Sequence, residues 1–441
     1  MARGGDTCKG ALLLALSVWN QLCGAGERVE PVTSASEEAG YSYSPSAEAE
    51  GAPSLRITTD FMYPASGFGS YAPSGEVETH AVKVGPFMVR GAVHTGAGYN
   101  NNVALSDSNK VSSMLLTLTP SLAIGLEGAT QRYHAIYRGN YGRYPSSSRD
   151  DYDHHELALT AAHAWTTRFR TTANYDYVRA HTPRGVVATA VSSVQPWTLQ
   201  SMRASAAYGA AGAVGGLEGD LAYSRRRYTG ASNVKAVGDF DQFTVGGTFS
   251  YRVAPKTRLI AQVHWSDFTH PDDPTLDNTE VQYMLGVSWE ATAKTAGRLR
   301  AGHTVKDFSN AFRADFAGRS YDAGITWAPR TYSIVDFSAS RALSESYELG
   351  SSFVVNSVAD LGWRHIWPQG IRSKVNYVYG RIQQEGLNRT DTYQNWGGRL
   401  SYGVKQSLRA GVEVRRDIRD SDAPELNYKR NVMMLTLETA L

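Results

Sequence analysis

The sequence predicts an all-β fold, a transmembrane antiparallel up-and-down β-barrel of about 18 strands. From Phe87 to Leu441, stretches of roughly ten residues that alternate apolar and polar are separated by turns. In the clearest stretch, 280–291, the odd-numbered residues from Val281 to Ala291 are apolar and most even-numbered ones are polar. Because successive side chains of a strand point to opposite faces, this stretch has one face for lipid and one for water.

The composition is compatible with a membrane barrel. No run approaches the ~20 consecutive apolar residues of a spanning helix, but a barrel strand presents only alternate residues to lipid. The 441 residues include 25 Tyr, 9 Trp and 42 Gly, which suit aromatic girdles and tight turns. The formal charge of +2 gives no bulk electrostatic argument for nucleic acid as a partner.

The N-terminal part differs from the rest, and we divide the chain into a signal peptide at 1–25, a flexible periplasmic segment at 26–83 and a barrel at 84–441. Arg3 and Lys9 precede a short apolar run, and small residues follow it. The alternatives are a lipid-attachment site at Cys23 and a buried apolar helix. The segment 26–83 is too poor in apolar residues to offset its ordering entropy. Cys8 and Cys23 are the two cysteines of the chain, so the mature protein needs no disulfide.

Turn signals divide the barrel region into an even number of strands, as barrels with both ends in the periplasm require. The predicted strands are 86–98, 111–126, 131–144, 152–165, 168–181, 197–210, 214–228, 240–253, 256–268, 278–291, 295–308, 318–329, 331–343, 351–365, 369–384, 390–404, 406–418 and 427–441. Short turns are expected at 254–256 and 328–330, and Pro120 predicts a bulge or bend inside a strand. A soluble multi-sheet protein is the competing fold, but its strands are usually shorter, about 5–6 residues.

Charged residues alternate onto the inner face. The basic set is densest on 295–308 and 369–418, and it comprises Arg298, Arg300, Lys306, Arg372, Lys374, Arg399, Arg409 and Arg415. The other lumen charges are Arg90, Arg170, Glu127, Glu218, Asp220, Glu280 and Glu290. One interpretation is a basic strip that guides an anionic polymer or anion. The other is a lattice of cross-strand ion pairs that stiffens the wall, and the mixture of signs favours it.

The sequence contains no local catalytic or metal-binding motif. The stretch 150–156 (DDYDHHE) lacks the ligand spacing of a calcium loop or zinc site and is interpreted as a solvated strand end. The stretch 270–274 (HPDDP) is interpreted first as a turn, with a calcium loop as the second interpretation. We therefore expect neither an enzyme nor a cofactor nor a bound metal.

Five short motifs carry a resemblance to a known family. They are 83–87 (KVGPF), 98–103 (GYNNNV), 118–122 (LTPSL), 141–144 (YGRY) and 150–153 (DDYD). The region 84–182 resembles the outer-membrane β-barrel porin family associated with exopolysaccharide and capsule export operons. That family commonly has Gly-Tyr-Asp-Asp-Asn-Val where this chain has 98–103. The resemblance implies a wide barrel that serves as the exit for a secreted polysaccharide.

We therefore expect a channel in the outer membrane of a Gram-negative bacterium that exports an exopolysaccharide or capsular polysaccharide through its lumen. The alternatives are a general or small-solute porin and a structural envelope barrel. The expected partners are outer-membrane lipid, the polysaccharide cargo, periplasmic export or biosynthesis components and the barrel assembly machinery, with no nucleic acid.

Overall fold

The computed structural model describes residues 82–186, 194–210, 212–229, 232–292 and 294–440. The predicted signal peptide, both cysteines, nearly all of the segment 26–83 and Leu441 lie outside these residues. No helix in the described ranges is long and apolar enough to cross a membrane.

The described chain forms nineteen strands in one antiparallel sheet. They are β1 (Val82–Val84), β2 (Phe87–Asn100), β3 (Ser113–Glu127), β4 (Gln131–Arg143), β5 (Tyr152–Ala164), β6 (Phe169–Thr182), β7 (Gln195–Tyr208), β8 (Gly215–Tyr228), β9 (Phe240–Ala254), β10 (Thr257–Thr269), β11 (Asn278–Thr292), β12 (Thr295–Phe308), β13 (Phe316–Arg330), β14 (Ser333–Ser344), β15 (Phe353–Ile366), β16 (Ile371–Glu385), β17 (Arg389–Lys405), β18 (Leu408–Ser421) and β19 (Tyr428–Ala440). Strands β2 to β19 pair in sequence order, and β19 closes the ring on β2. The predicted fold class and its even set of eighteen barrel strands are confirmed.

Strand β1 was missed, because three residues are too few to show alternation. Val82 pairs with Val89 and Val84 pairs with Phe87. Strand β3 occupies one edge of β2 from Met88 onward, so β1 lies on the other edge, which β19 joins from Ala92. Strand β1 therefore continues the ladder of the last strand beyond its C-terminal end.

The two ends of the barrel differ in their connections. At one end the turns are short, and β2 begins there and β19 ends there. At the other end lie nine loops: L1 (101–112), L2 (144–151), L3 (183–194), L4 (229–239), L5 (270–277), L6 (309–315), L7 (345–352), L8 (386–388) and L9 (422–427). Loop L4 contains the helix α1 (Ser232–Gly238). Outer-membrane barrels keep short turns and both termini in the periplasm, and by this rule we expect the loop end to face outward from the cell.

Two expectations about proline need correction. At Pro120 the pairing between β3 and β4 lapses, but its register is the same on both sides of the gap, so no bulge forms. The turn predicted at 328–330 lies two residues later, because β13 extends to Arg330. Pro329 falls in an irregular stretch of the pairing with β14, where its missing N–H breaks no ladder bond.

The alternation predicted from the sequence sets which side chains face out. Outward positions carry large exposed apolar side chains such as Leu285 and Leu435. Inward positions at the same levels carry buried polar side chains such as Thr304 and Thr436. The lumen wall is therefore largely polar, with apolar side chains such as Leu115 and Ile382 near the loop end. Any selectivity depends on this wall and on the loops that enter it.

Candidate functional site

The lumen wall on β10–β13 carries an arginine pair with a shared carboxylate. Arg298 donates from Nε to Asp322 Oδ1 at 2.8 Å, and Arg300 donates from Nη2 to the same oxygen at 2.9 Å. Arg300 also donates to Gln262 Oε1 at 2.7 Å and is almost fully buried. These two members of the predicted basic strip are thus engaged with the wall itself.

Lys306 on β12 is fully buried near the loop end of the wall. Its Nζ lies 2.6 Å from Glu345 Oε1 in L7 and 3.7 Å from Glu280 Oε2 on β11. The His270 Nε2 atom of L5 lies 3.2 Å from the other Glu345 oxygen. The sequence reasoning placed Lys306 and Glu280 on the inner face but did not find Glu345.

The remaining members of the predicted strip lie on β16–β18 at inward positions. Arg399 lies 3.3 Å from Glu438, Arg415 lies 2.8 Å from Asp417, and Arg409 donates to the Gly370 carbonyl at 3.1 Å. Arg372 and Lys374 follow each other at inward positions near the periplasmic end of β16. Because most of the eight cations have a carboxylate or carbonyl partner, the wall has the character of an ion-pair lattice. Its use as a polymer or anion path stays a prediction.

The other predicted lumen charges are spread around the ring. Asp220 on β8 lies 3.2 Å from Arg203 and 3.5 Å from His264, and all three are largely buried. Gly246 stands between Asp220 and His264 in the register, and a Cβ there would collide with both side chains. Arg170 and Glu218 lie at one level of the wall, on either side of Ala207, and Glu127 lies 3.8 Å from Arg132. Arg90 and Glu290 lie on strands β2 and β11.

Loop L7 leaves the wall and crosses the lumen. Its two carboxylates are anchored on strands on either side of it: Glu345 to Lys306, and Glu348 to Arg389 through two hydrogen bonds of 2.9 and 2.6 Å. Arg226 on β8 donates to the Ser346 carbonyl at 3.3 Å. Since β8 lies seven strands from β15 in a ring of eighteen, this bond joins L7 to the far wall.

One buried apolar cluster spans the lumen beneath the loops. It joins Tyr228 of β8 to Tyr393 of β17, which are nine strands apart and therefore on opposite walls. The loops supply the side chains between them: Leu105 from L1, Val186 from L3, Val234 from L4 and Tyr347 from L7. Burial raises the pKa of the Tyr347 hydroxyl well above its usual value. The lumen is therefore bridged at its outer end by loops, a feature that the sequence left open.

Loops L1 and L3 contact each other inside the barrel. Gly185 adopts a φ of +80°, and a Cβ there would lie 2.5 Å from the Ala104 carbonyl oxygen. Arg419 on β18 donates to the Val186 carbonyl at 2.9 Å from across the lumen. Arg419 also lies 2.9 Å from Asp391, with both side chains buried. Loop L3 is thus held by a wall arginine in the same way that Arg226 holds L7.

The carboxylate of Glu345 stays ionised although it is buried. Burial alone would raise its pKa, but the Lys306 charge and the hydrogen bond with His270 outweigh burial and lower the pKa to about 2. A carboxylate so stabilised is a strong point of attachment for L7 across the physiological pH range.

The acidic stretch 150–156 is not the solvated strand end expected from its composition. Asp150 is buried and accepts two hydrogen bonds from Arg184 of L3, at 2.6 and 2.7 Å. Asp153 pairs with Arg143 at 2.7 Å. In L5, Asp273 accepts from the Thr275 N–H at 3.1 Å, as the predicted turn requires. Asp150 therefore ties L2 to L3, whereas Asp153 joins two neighbouring strands and Asp273 stabilises its own turn.

Three of the five family-like motifs, 98–103, 141–144 and 150–153, lie at the loop end of the barrel, whereas 83–87 forms the turn between β1 and β2 and 118–122 lies within β3. Asn102 donates to the carbonyls of Ser106 and Lys429, at 2.7 and 3.0 Å, and so ties L1 to β19. Asn101 accepts from the Asn431 N–H at 2.7 Å. Tyr144 packs in an apolar cluster with Val103, Leu115, Tyr152, Val432 and Met434. The loop-end motifs therefore specify how L1 and L2 dock.

The comparison with protein families decides the identity of the barrel. The family model described as "Putative beta-barrel porin 2" matches residues 75–441. The chain belongs to this family. It is accordingly an outer-membrane β-barrel porin-like channel. A search of curated proteins returns no match.

Several solved outer-membrane structures are similar to this porin. The OccK3 (OpdO) protein of Pseudomonas aeruginosa is 16% identical over 80% of this chain and 95% of its own, with a TM-score of 0.43. The siderophore receptor PirA of Pseudomonas aeruginosa is 9% identical over 80% of each chain, with a TM-score of 0.40. The FrpB iron transporter of Neisseria meningitidis, as apoprotein, is 9% identical over 82% of each chain, with a TM-score of 0.44.

Sequence reasoning missed two sets of residues that fix the loops: wall arginines on strands (Arg226, Arg389 and Arg419) and residues of the loops themselves. Glu345, Glu348 and Arg184 were treated as parts of external connections. A usable signal is present in 345–348, where two glutamates flank a tyrosine. A loop that offers both an aromatic ring and two anchoring carboxylates is suited to enter a polar lumen.

Proposed function

We propose that this porin is a loop-constricted channel for small polar solutes. The observation that carries the proposal is L7, which crosses the lumen and is held by Lys306 and Arg389 through buried ion pairs. A polymer exit that is permanently open requires an unobstructed lumen, whereas a solute porin works with loops that narrow its path. The polar wall below the loops supplies hydroxyl, amide and charged groups for hydrated solutes.

The wall beside the constriction is rich in uncharged hydrogen-bonding groups. Thr244 and Ser266 lie 2.8 Å apart through their hydroxyls, and Thr304 and Ser320 lie 2.6 Å apart. Gln242 donates to the first pair. These buried groups satisfy one another, so this sector of the wall is held together by neutral hydrogen bonds without the desolvation cost of a charge.

The test is solute permeation by the full chain reconstituted in liposomes. We expect monosaccharides and disaccharides to enter and long dextrans to be excluded. Replacement of residues 346–351 by a short Gly-Ser turn should raise both the planar-bilayer conductance and the size limit. Entry of dextrans through the unaltered protein would contradict the proposal. Absence of permeation by both proteins would favour a structural barrel.

Export of an exopolysaccharide or capsular polysaccharide is the second candidate, and the motif-bearing stretch 83–153 favours it through its resemblance to porins of export operons. In this proposal L3 and L7 must leave the lumen when polymer passes, and periplasmic export components would deliver the chain. Deletion of the gene in a strain that makes surface polymer should then leave the polymer in the periplasm. Normal surface polymer in the deletion strain would reject this candidate.

A further inference from the structure

Three arginines on the outward face of β13–β16 lie close together near the loop end. Arg319 is on β13, Arg341 on β14 and Arg381 on β16, and we call them the outer arginine row. Arg341 pairs with Tyr321, whose exposed ring is on the lipid-facing side. Arg319 pairs with the exposed His303, which in turn pairs with the exposed Tyr283. The row is therefore outside the barrel and unrelated to the lumen.

The side chain of Arg341 connects the row. It donates from Nε to the Arg319 carbonyl at 3.2 Å and from Nη1 to Ser357 Oγ at 3.1 Å. Ser357 on β15 pairs directly with Arg381 on β16. Because neighbouring strands are about 5 Å apart, Arg341 and Arg381 stand roughly 10 Å from each other. A single headgroup can thus contact neighbouring guanidinium groups of the row.

The depth of the row corresponds to lipid headgroups. Arg319 lies two residues on the loop side of Tyr321, and Arg381 lies two residues on the loop side of Tyr379. Both tyrosines are outward and exposed, and such rings mark the boundary between acyl chains and headgroups. Since we expect the loop end to face outward from the cell, this boundary belongs to the outer leaflet.

The row carries positive charge that the protein leaves uncompensated. Within the described part of the chain, no carboxylate lies within ion-pair distance of Arg319, Arg341 or Arg381. Three outward arginines elsewhere near this end of the barrel are compensated: Arg143 by Asp153 at 2.7 Å, and Arg225 and Arg227 by Asp241 at 2.7 and 2.6 Å. Arg179 on β6 and Arg416 on β18 are outward and exposed without such a partner among the described residues, but no second arginine is paired with either of them. The face of β13–β16 differs in that three uncompensated arginines lie on nearby strands at one level, which makes it a surface suited to an external anion.

We infer that the outer arginine row binds the phosphate groups of a glycolipid headgroup in the outer leaflet. The ligand class is a phosphorylated glycolipid such as lipid A. Guanidinium groups hold phosphate oxygens through paired charge-assisted hydrogen bonds, and the tyrosine rings beneath them meet the start of the acyl chains. The lipid would be a specifically bound molecule on the face of β13–β16 rather than part of the bulk bilayer.

The test compares lipid binding to detergent-solubilised full-length protein by native mass spectrometry, with bis-phosphorylated lipid A as the probe. The triple variant R319Q/R341Q/R381Q should bind it about 100-fold more weakly, since each lost headgroup contact is worth roughly a factor of five. The control R143Q/R225Q/R227Q removes the same formal charge from arginines that already have partners, and it should change binding less than about three-fold. Each single variant should lose roughly five-fold, which keeps the test valid if the triple variant does not fold.

Two further probes separate the sources of phosphate. Lipid A stripped of both phosphates should bind the unaltered protein as weakly as bis-phosphorylated lipid A binds the triple variant. Inorganic pyrophosphate should compete poorly, because it lacks the acyl chains. Equal binding by the triple variant, an equal loss in the control, or full competition by pyrophosphate would each overturn the inference. Channel conductance tests the proposed function separately and should not change in the triple variant.

Discussion

The Glu345 side chain is buried in the lumen and yet carries a negative charge. Its partners Lys306 and His270 come from two other hairpins, so the carboxylate fixes L7 to a part of the wall to which its own strands contribute nothing. Glu348 makes the equivalent attachment to Arg389 on β17. Loss of one partner of a buried pair leaves the other charge uncompensated, which commonly costs about 3 kcal/mol or more.

We predict that Glu345→Gln releases L7. Lys306 keeps only the more distant Glu280, so the docked loop loses about 3 kcal/mol and spends much more time away from the lumen. The measurement is single-channel conductance in a planar bilayer, which should rise and become noisier. Glu425→Gln, at an exposed glutamate of L9, is the matched control and should behave as the unaltered protein. Unchanged conductance in Glu345→Gln would reject L7 as the constriction.

The pH dependence of gating follows from the same carboxylate. Its pKa in the docked state is about 2, below the usual value near 4.3, so its stabilising contribution is complete above pH 4.3 and is lost as the pH falls toward 2. We predict constant conductance between pH 5 and 8 and an increase between about pH 4 and 2. Glu345→Gln should lack this acid-induced increase. A midpoint near pH 6 would point to a different titrating group.

At the scale of elements, the wall strands could be predicted and the loop conformations could not. The alternation of apolar and polar residues is a local pattern, so each strand can be predicted from its own residues, as 280–291 shows. Docking of L3 depends on Arg419 and Leu105, which are distant in sequence from Gly185, and no local pattern relates them. The burial of Asp150 could not be predicted either. Its acidic sequence neighbours favour exposure to solvent, whereas the contact with Arg184 of L3 leaves it buried.

The contact between L1 and L3 gives a prediction for one glycine. Gly185→Ala places a Cβ 2.5 Å from the Ala104 carbonyl oxygen, at a φ of +80° that alanine rarely adopts, so L3 should undock. Limited proteolysis should then cut L3 faster than in the unaltered protein. Gly212→Ala is the control, because open space surrounds that position. Equal cleavage rates in the two variants would contradict the docked arrangement of L3.

At the scale of the whole molecule, most polar side chains of the strands face the lumen and most apolar ones face lipid. The division follows from strand phase alone, and for that reason the sequence predicted the fold class, the strand number and the facing of most charges. It could not predict that the outer end is bridged, since this depends on side chains from four loops that meet only after the ring closes. The cargo is even less predictable, because the loop-end motifs are used to dock L1 and L2.

The assignment of side chains to the lipid face or the lumen face can be tested with two adjacent residues of β14. Phe337 is outward and pairs with Leu361, whereas Ser338 is inward and pairs with Asp360. Phe337→Arg puts a charge into lipid and should lower the unfolding free energy by roughly 2–4 kcal/mol, while Ser338→Arg should change it by less than about 1 kcal/mol. Urea-induced unfolding in lipid vesicles measures both. The opposite order of destabilisation would mean that the assigned phase is wrong.

The route of L7 across the barrel also has a mechanical consequence. A ring of strands joined only edge to edge can flatten into an oval under lateral pressure from the bilayer. The bond from Arg226 to Ser346 and the ion pair from Lys306 to Glu345 attach one loop to two separate sectors of the ring. Loop L7 therefore links two sectors of the ring and resists flattening of the barrel. A protein that releases this loop would gain a wider passage and a softer wall in the same step.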